Sequence, residues 1–367
     1  MIKSNFVLPS LSIFLLAVLL LLSPVLVFAA DEECESSADY QFLCGMQNPE
    51  DLVRVPDTRW IIASSMRPGG GLYLIDSKKK TWSEINLGEK LQHRQDMALY
   101  GACPGVPVAE NLITHGLHLR PGENRQSALY VVAHGARESI EVFEVDASAA
   151  EPALTWVGCL MSPGGMQLNS VTSLADGTLL ATIPVIPKEG EAVPRLGDIT
   201  GSAFRWSPGD SEFTAIEGTE LPYPNGIEVS EDEKEFYIAS SGLFKVLAFS
   251  NTSPARLLRQ TEEFDILPDN LHSGDAGRLV TAGMVHADPV CGVVQQTDPL
   301  SLEVIVACAR PFQALSVDPA TMAVETLASG PANPHFSNVT MALSVAGELW
   351  IGTFAGDRVA HTKPREE

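Results

Sequence analysis

A strand-turn-strand pattern recurs along this chain at intervals of roughly 50 residues, and it limits the possible folds more than any other feature. In its clearest copy, Tyr223–Gly242, the apolar stretches Ile227–Ser230 and Phe236–Ala239 flank a polar turn, Glu231–Lys234. Alternating apolar residues on both sides of a polar turn predict a β-hairpin. The innermost strand of this copy starts at Asn225, and related copies start at His115, Asn169 and Asn270.

An N-terminal block and a C-terminal block bring the number of these units to six. We assign the strands Trp60–Ser64 and Gly71–Asp76 in the N-terminal block and Arg278–Ala282 and Gly292–Gln295 in the unit after Asn270; the C-terminal block is Met341–Ala360. Repeated units of this size with several strands each predict an all-β fold, the six-bladed β-propeller. A β-sandwich is the alternative, but it does not account for the recurrence.

The N-terminal segment has the features of an export signal. Lys3 supplies a positive charge, Leu11–Leu22 is almost wholly apolar, and Val27–Ala30 offers small residues for cleavage. We therefore expect residues 1–29 to be a signal peptide and residues 30–367 to form a single propeller domain, exported to the periplasm or secreted. Because the apolar run is long, its retention as a membrane anchor is the alternative, and we expect no other membrane contact.

Six cysteines in an exported chain favour disulfide bonds over thiol chemistry. Many pairings are open; the one that we choose joins Cys34 to Cys44, Cys103 to Cys159 and Cys291 to Cys308. The net charge of −22 and the pI near 4.7 argue against a nucleic-acid partner, because phosphates would be repelled. The oligomeric state does not follow from the sequence.

Oxygen-bearing residues stand where the units begin. In a propeller, the loops that lead into the innermost strands converge on the central axis. The residues at these places are Glu50, Asn169, Asn225, Asp269 and Asn270. Each could be only a turn former, but five of them at matching places favour a shared site. Oxygen ligands that include two carboxylates indicate Ca²⁺ rather than zinc or copper.

Two histidines stand in the second unit. His115 begins its first strand and His134 ends the next one, so that antiparallel pairing would bring both near one end of the axis. Such a pair could activate a water molecule, one ring accepting its proton while the other relays or orients. The alternative is that they are two unrelated loop histidines. No G-x-S-x-G motif supports a serine esterase.

Short motifs spread over nearly the whole mature chain resemble those of the paraoxonase/arylesterase family, calcium-dependent lactonases with a six-bladed propeller. The matching pieces are Pro49-Glu50-Asp51-Leu52, Thr114-His115-Gly116, Val132-Ala133-His134, Leu168-Asn169-Ser170, Pro224-Asn225-Gly226-Ile227, Pro268-Asp269-Asn270 and Leu349–Thr353. The resemblance implies that the five oxygen-bearing residues hold a catalytic Ca²⁺. It also implies that His115 and His134 are a hydrolytic dyad, with His115 as the base, acting on a small lactone or ester.

Three departures from the family limit this resemblance. Ser170 stands where the family has an aspartate for a second, structural calcium, although Asp51 retains another ligand of that site. No cysteine follows Cys308 to join the terminal blades, so ring closure would rest on strand pairing or a different bridge. The segment Pro184–Ser202 replaces an apolar active-site element and cannot form a membrane-facing helix, so we expect a different substrate pocket.

Three alternative functions remain. A gluconolactonase or regucalcin-like enzyme shares the fold and would hold one metal without a histidine dyad. A non-catalytic propeller would use calcium only to stabilise a binding tunnel. A condensing enzyme of the strictosidine-synthase type is the third.

Overall fold

The computed structural model describes residues 34, 36, 40–88, 91–187, 192–299 and 301–362. The predicted signal segment, residues 1–29, lies outside these residues. Within them, no helix has the length and apolar composition needed to cross a bilayer. The described residues form the predicted all-β, six-bladed propeller.

Each blade is built on an antiparallel sheet whose strands run in sequence order from the axis outward, except where the chain ends meet and at the edge of blade 2, where an earlier strand adds in parallel. The first strand of the described residues, β1 (Tyr40–Cys44), belongs to the last blade. Blade 1 contains β2 (Leu52–Arg54), β3 (Trp60–Ser64), β4 (Leu72–Asp76) and β5 (Thr81–Ile85). Blade 2 contains β7 (Leu112–Pro121), β8 (Gln126–Gly135), β9 (Ser139–Asp146) and β10 (Ala153–Met161), with β6 (Gln92–His93) parallel to β10.

The remaining blades follow the same plan. Blade 3 contains β11 (Val171–Ser173), β12 (Leu179–Ile183), β13 (Ser202–Trp206) and β14 (Thr214–Ala215). Blade 4 contains β15 (Pro224–Val229), β16 (Glu235–Ser240), β17 (Lys245–Ser250) and β18 (Leu257–Gln260). Blade 5 contains β19 (Leu271–Ser273), β20 (Leu279–Met284), β23 (Phe312–Val317) and β24 (Val324–Gly330). Blade 6 contains β25 (Phe336–Val345), β26 (Glu348–Gly356) and β27 (Arg358–Thr362).

The hairpin predicted from the clearest repeat is present in blade 4 as β15 and β16. Its turn is closed by side-chain hydrogen bonds: Asp232 accepts from the Ser230 hydroxyl at 2.9 Å and from the Lys234 backbone N–H at 3.2 Å. Aspartate and serine stabilise tight turns in this way, and the apolar residues of both strands are then buried against the neighbouring blades. The local sequence therefore determines this blade.

Ring closure rests on strand pairing, as expected from the missing C-terminal cysteine. The strand β1 pairs antiparallel with β27, from Tyr40 opposite Thr362 to Cys44 opposite Arg358, and so completes blade 6. Tyr40 packs against the ring of Phe312 in blade 5, with the ring centroids 5.5 Å apart. The pairing of β1 with β27 therefore closes the ring of blades.

Blade 5 contains an insertion that the sequence pattern misassigned. The prediction that Gly292–Gln295 is a strand of the blade was wrong: residues 292–293 form β22, which pairs with β21 (Ala287–Asp288) outside the blade. A short helix, α1 (Leu302–Val306), follows, and the third strand of the blade is β23. The misassignment arose because Val293 and Val294 give the segment the apolar character of a strand.

The hydrophobic core lies between adjacent blades, where apolar side chains of neighbouring sheets meet. All three chosen disulfides are present: Cys34–Cys44, Cys103–Cys159 and Cys291–Cys308. Three short 3-10 helices lie in the connections, at Ala109–Asn111, Pro163–Gly165 and Asp275–Gly277. The disulfides agree with an oxidising compartment.

Candidate functional site

The inner strands enclose a cavity to which residues from distant parts of the chain contribute. Its polar lining consists of Glu50, His115, Asn169, Asn225, Ser241, Asp269 and Thr340. All of the predicted calcium ligands except Asn270 are among them, and Asn270 contacts Glu50 directly. The blades therefore bring the residues that begin the repeats to one place.

Irregularities in two innermost strands direct side chains toward this cavity. The pairing of β7 with β8 and the pairing of β15 with β16 each break register once, at positions that hold His115–Gly116 and Asn225–Gly226. A β-bulge re-aims the side chains that it contains. A Cβ atom at Gly226 would lie 2.3 Å from the backbone nitrogen of Leu271, so glycine permits the next blade to approach. The pairs His115–Gly116 and Asn225–Gly226 thus lie at the register breaks of the two innermost strands.

Four buried side-chain oxygens around the cavity accept no hydrogen bond from the described part of the chain. They are Oε2 of Glu50 and the Oδ1 atoms of Asn169, Asn225 and Asn270. Buried polar atoms are nearly always paired, because leaving one unpaired costs about 1–3 kcal/mol. A positively charged or proton-donating ligand would satisfy these unpaired acceptors from four blades.

The amide groups are oriented so that their oxygens stay free. Nδ2 of Asn225 donates to the Ser241 hydroxyl at 3.2 Å, and that hydroxyl donates to the Pro268 carbonyl at 2.7 Å. Nδ2 of Asn270 donates to Oε1 of Glu50 at 2.6 Å. Because the amide nitrogens are used within the protein, the oxygens remain available to a cation.

The two carboxyl groups are costly to ionise where they lie. Burial raises the pKa of Glu50 well above its usual range, and the nearby Asp51 and Asp269 raise it further. Burial also raises the pKa of Asp269 to about 8, against the lowering effect of its hydrogen bond with Asn225. A divalent cation between the carboxylates would remove this cost by neutralising their charge.

The donor set fits a hard cation. Among the described residues, no group of three or more His, Cys, Asp or Glu side chains is arranged to hold a metal. This site instead combines two carboxylates, Glu50 and Asp269, with amide oxygens of three asparagines. Oxygen ligands of this kind suit Ca²⁺, whereas zinc and copper prefer nitrogen and sulfur.

The two predicted histidines are in contact at the edge of the cavity. Nδ1 of His115 lies 2.9 Å from Nε2 of His134, and both side chains are buried. The remaining nitrogen of His115, Nε2, lies 3.7 Å from Oε1 of Glu50. Burial, and secondarily His134, lower the pKa of His115 well below its usual range, so the ring is neutral and can accept a proton.

One neighbour of the dyad was not identified from the sequence. Oε2 of Glu138 lies 2.5 Å from Nδ1 of His134. The available signal was an acidic residue within the short turn that follows His134, between β8 and β9. Acidic turn residues are common, so only the contact distinguishes this one.

Asp51 is not among the residues that line the cavity, and its carboxylate makes its own contacts. One of its oxygens accepts from the Leu52 backbone N–H and lies 2.8 Å from Nε2 of His272, while the other accepts from the Leu117 N–H at 2.7 Å. The hydroxyl of Ser170, which replaces the family's aspartate, accepts the Ile227 N–H at 3.4 Å. Both oxygens of Asp51 thus accept hydrogen bonds from the protein, and a second calcium at Asp51 stays a prediction.

Apolar residues form the rest of the cavity wall. They are Met66, Leu196, Tyr223, Leu267, Met284, Ile305 and Phe354. Tyr223 has a φ of +44°, in the left-handed region that is strained for a residue with a side chain. A polar floor beneath an apolar wall suits a small molecule with one reactive polar group.

Two connections roof this cavity. The segment around Leu196, between β12 and β13, pairs with the blade 5 insertion: the Leu196 N–H donates to Asp298 at 2.9 Å and the Gly197 N–H to Gln296 at 2.8 Å. The insertion also carries Ile305 and the Cys291–Cys308 disulfide. The described part of Pro184–Ser202 thus forms no helix and contributes to the pocket instead.

Comparison with solved structures supports the fold. A luciferin-regenerating enzyme is 12% identical, with a TM-score of 0.52, over 88% of this chain and 93% of that chain. A gluconolactonase from Xanthomonas campestris is 15% identical, with a TM-score of 0.50, over 88% and 89%. The calcium-binding protein regucalcin from Agrobacterium tumefaciens is 9% identical, with a TM-score of 0.52, over 89% and 94%.

At these identities the likeness establishes the propeller fold alone. No family model matches the sequence, and no curated protein matches it. The structural neighbours are gluconolactonase- and regucalcin-like propellers, and they do not confirm the paraoxonase/arylesterase resemblance. The assignment of a function therefore rests on the geometry of the site.

Proposed function

We propose that this protein is an exported, calcium-dependent hydrolase of lactones and aryl esters. One observation carries the proposal: Glu50, Asn169 and Asn225, each with an unpaired oxygen, line the same cavity as His115, whose ring contacts His134. The three disulfides support export, because such bonds persist in oxidising compartments. The partner would be a small-molecule substrate that fits beneath the roof.

The predicted ligands would hold the cation at the base of the cavity. They are Glu50, Asn169, Asn225, Asp269 and Asn270. When bound, Ca²⁺ would supply Lewis-acid stabilisation of the charge that develops on a substrate carbonyl oxygen. A second calcium at Asp51 is a separate prediction on which this proposal does not depend.

The histidines would carry the proton. Nε2 of His115 accepts a proton from a water molecule, and the resulting hydroxide adds to the carbonyl carbon. The bond between the carbonyl carbon and the ring or leaving-group oxygen then breaks, and that oxygen takes the proton back. His115 is thus first a base and then an acid, with His134 as its partner.

The direct test is hydrolysis of a panel of lactones and aryl esters. We expect turnover by the calcium-loaded protein, loss of turnover in EDTA and recovery when calcium is added back in excess. Recovery with magnesium alone would contradict the ligand assignment, because Mg²⁺ requires a smaller octahedral site. A folded protein that binds calcium but turns over nothing would instead support the non-catalytic binding propeller.

A lactonase without a histidine dyad is the second candidate. The fold shared with a gluconolactonase and with regucalcin favours it. This candidate needs the metal site but not the His115–His134 contact. Unchanged turnover in His115→Gln, with calcium dependence retained, would select it over the proposed mechanism.

A further inference from the structure

The histidine pair continues into a third residue, Glu138. Its Oε2 atom lies 2.5 Å from Nδ1 of His134, on the side of the ring opposite His115. The carboxylate is largely buried, with 16% of the side chain exposed. The chain of contacts therefore runs from the cavity through two imidazole rings to one carboxylate.

The local fold holds Glu138 in place. It ends the turn between β8 and β9, and its backbone carbonyl accepts the Ser162 N–H at 2.9 Å. The neighbouring cation, Arg137, is turned away and binds both oxygens of Glu141 at 2.8 Å. Because Arg137 is engaged elsewhere, the Glu138 carboxylate is left for His134.

The contact determines which nitrogens carry protons. An ionised carboxylate only accepts hydrogen bonds, so Nδ1 of His134 must hold a proton and its Nε2 must be a free acceptor. That Nε2 can then accept only from a protonated Nδ1 of His115. The remaining nitrogen of His115, its Nε2, is therefore unprotonated and is the atom nearest Glu50.

We infer that Glu138 is a positioning residue that sets the tautomers of His134 and His115 and so prepares Nε2 of His115 to accept a proton. The inference rests on the proposed hydrolysis for its catalytic meaning. When Nε2 of His115 takes a proton from water, its Nδ1 proton moves to Nε2 of His134. The positive charge then lies on His134 beside the Glu138 carboxylate, and the transfers reverse when the leaving oxygen is protonated.

Kinetics test the charge of Glu138. In Glu138→Gln the side chain can still accept the Nδ1 hydrogen, but the negative charge is lost. We expect kcat to fall by about 10²-fold, within the usual range for general acid–base partners, with KM changing less than about threefold. Glu144→Gln is the matched control, since Glu144 lies on β9 of the same blade, is exposed and pairs with Arg94. Equal kcat values in the two variants would overturn the inference.

Nitrogen NMR of the histidine rings tests the tautomer without substrate or activity. In the full-length wild type, with and without calcium, we expect His134 to be protonated at Nδ1, and His134→Gln assigns its signals. Glu138→Ala should shift this ring toward a mixture of tautomers. An unchanged Nδ1–H population in Glu138→Ala would refute the positioning role. If wild type hydrolyses no lactone, the proposed function fails, yet the tautomer experiment still decides the role of Glu138.

Discussion

Glu50 and Asn270, 220 positions apart in the chain, share a hydrogen bond of 2.6 Å between Oε1 and Nδ2. Glu50 precedes the innermost strand of blade 1, and Asn270 precedes that of blade 5. Oε2 of Glu50 and Oδ1 of Asn270 have no donor within the described residues. The pair thus joins two blades and leaves two oxygens unpaired, so the proposed calcium would bind where blades 1 and 5 meet.

Removing a carboxylate ligand should lower the stability of the protein in calcium but not its stability in chelator. In Asp269→Ala we expect loss of turnover and calcium binding weaker by at least about 10²-fold, and Asn225→Ala should change both in the same direction. Calcium at about 1,000 times its Kd stabilises by about 4 kcal/mol, and most of this should disappear. In chelator the variant should be at least as stable as wild type, because a buried carboxyl has been removed.

Calorimetric titration and thermal denaturation with and without calcium measure these effects. Asp265→Ala is the control, since Asp265 lies in the same connection but is exposed. Wild-type calcium affinity and turnover in either ligand variant would show that the metal assignment is wrong.

Replacing the dyad should affect chemistry and leave the metal bound. We expect His115→Gln and His134→Gln to lower kcat by about 10²–10⁴-fold with calcium affinity nearly unchanged. His118→Gln is the control, because His118 lies on the same strand but lines a separate cavity at the far ends of the innermost strands. Steady-state kinetics and calcium titration measure these effects. Equal losses of kcat in all three variants would indicate a general structural effect.

The stability of the metal-free protein should fall as pH rises. The pKa of Asp269 is raised from 3.8 to about 8 in the fold, so its favourable contribution is complete below pH 4 and is lost as pH rises through about 8. Glu50 shifts in the same direction. Each such proton contributes a slope of about 1.4 kcal/mol per pH unit.

Calcium should reverse this trend, because it binds the ionised carboxylates. The difference in unfolding free energy between calcium-loaded and metal-free protein should therefore increase from pH 5 to pH 8. Denaturant unfolding at several pH values measures it, and Asp269→Asn, which lacks one titrating group, should show a shallower increase. A difference that is independent of pH would contradict the buried, protonated state.

Ring closure should depend on the packing of β1. Phe42 lies between the Phe336 ring, at a centroid distance of 5.4 Å, and the guanidinium of Arg358. We expect Phe42→Ala to cost about 2 kcal/mol, less than for a fully buried phenylalanine because Phe42 is half-buried. Leu257→Ala, on the outermost strand of blade 4, should cost much less, as measured by chemical denaturation.

How far local sequence determines structure differs between the blades and the site. The hairpin at Tyr223–Gly242 follows from alternating apolar residues and a polar turn, and the three cysteine pairs were also predicted correctly. The blade 5 insertion was not, since the run Val293–Val294 has the pattern of a strand and periodicity does not reveal its partner. Pairing partners depend on the rest of the fold.

The sequence by itself determined the repeating strands, their number of units and the placement of Glu50, Asn225 and Asp269 at the starts of units, because these depend on residues close together in the chain. Only the tertiary structure decided that Asp51 contacts His272, that Glu138 contacts His134 and that amide oxygens are left unpaired. These properties depend on side-chain orientations and on closure of the ring. Both arise from contacts between residues that sequence spacing does not relate.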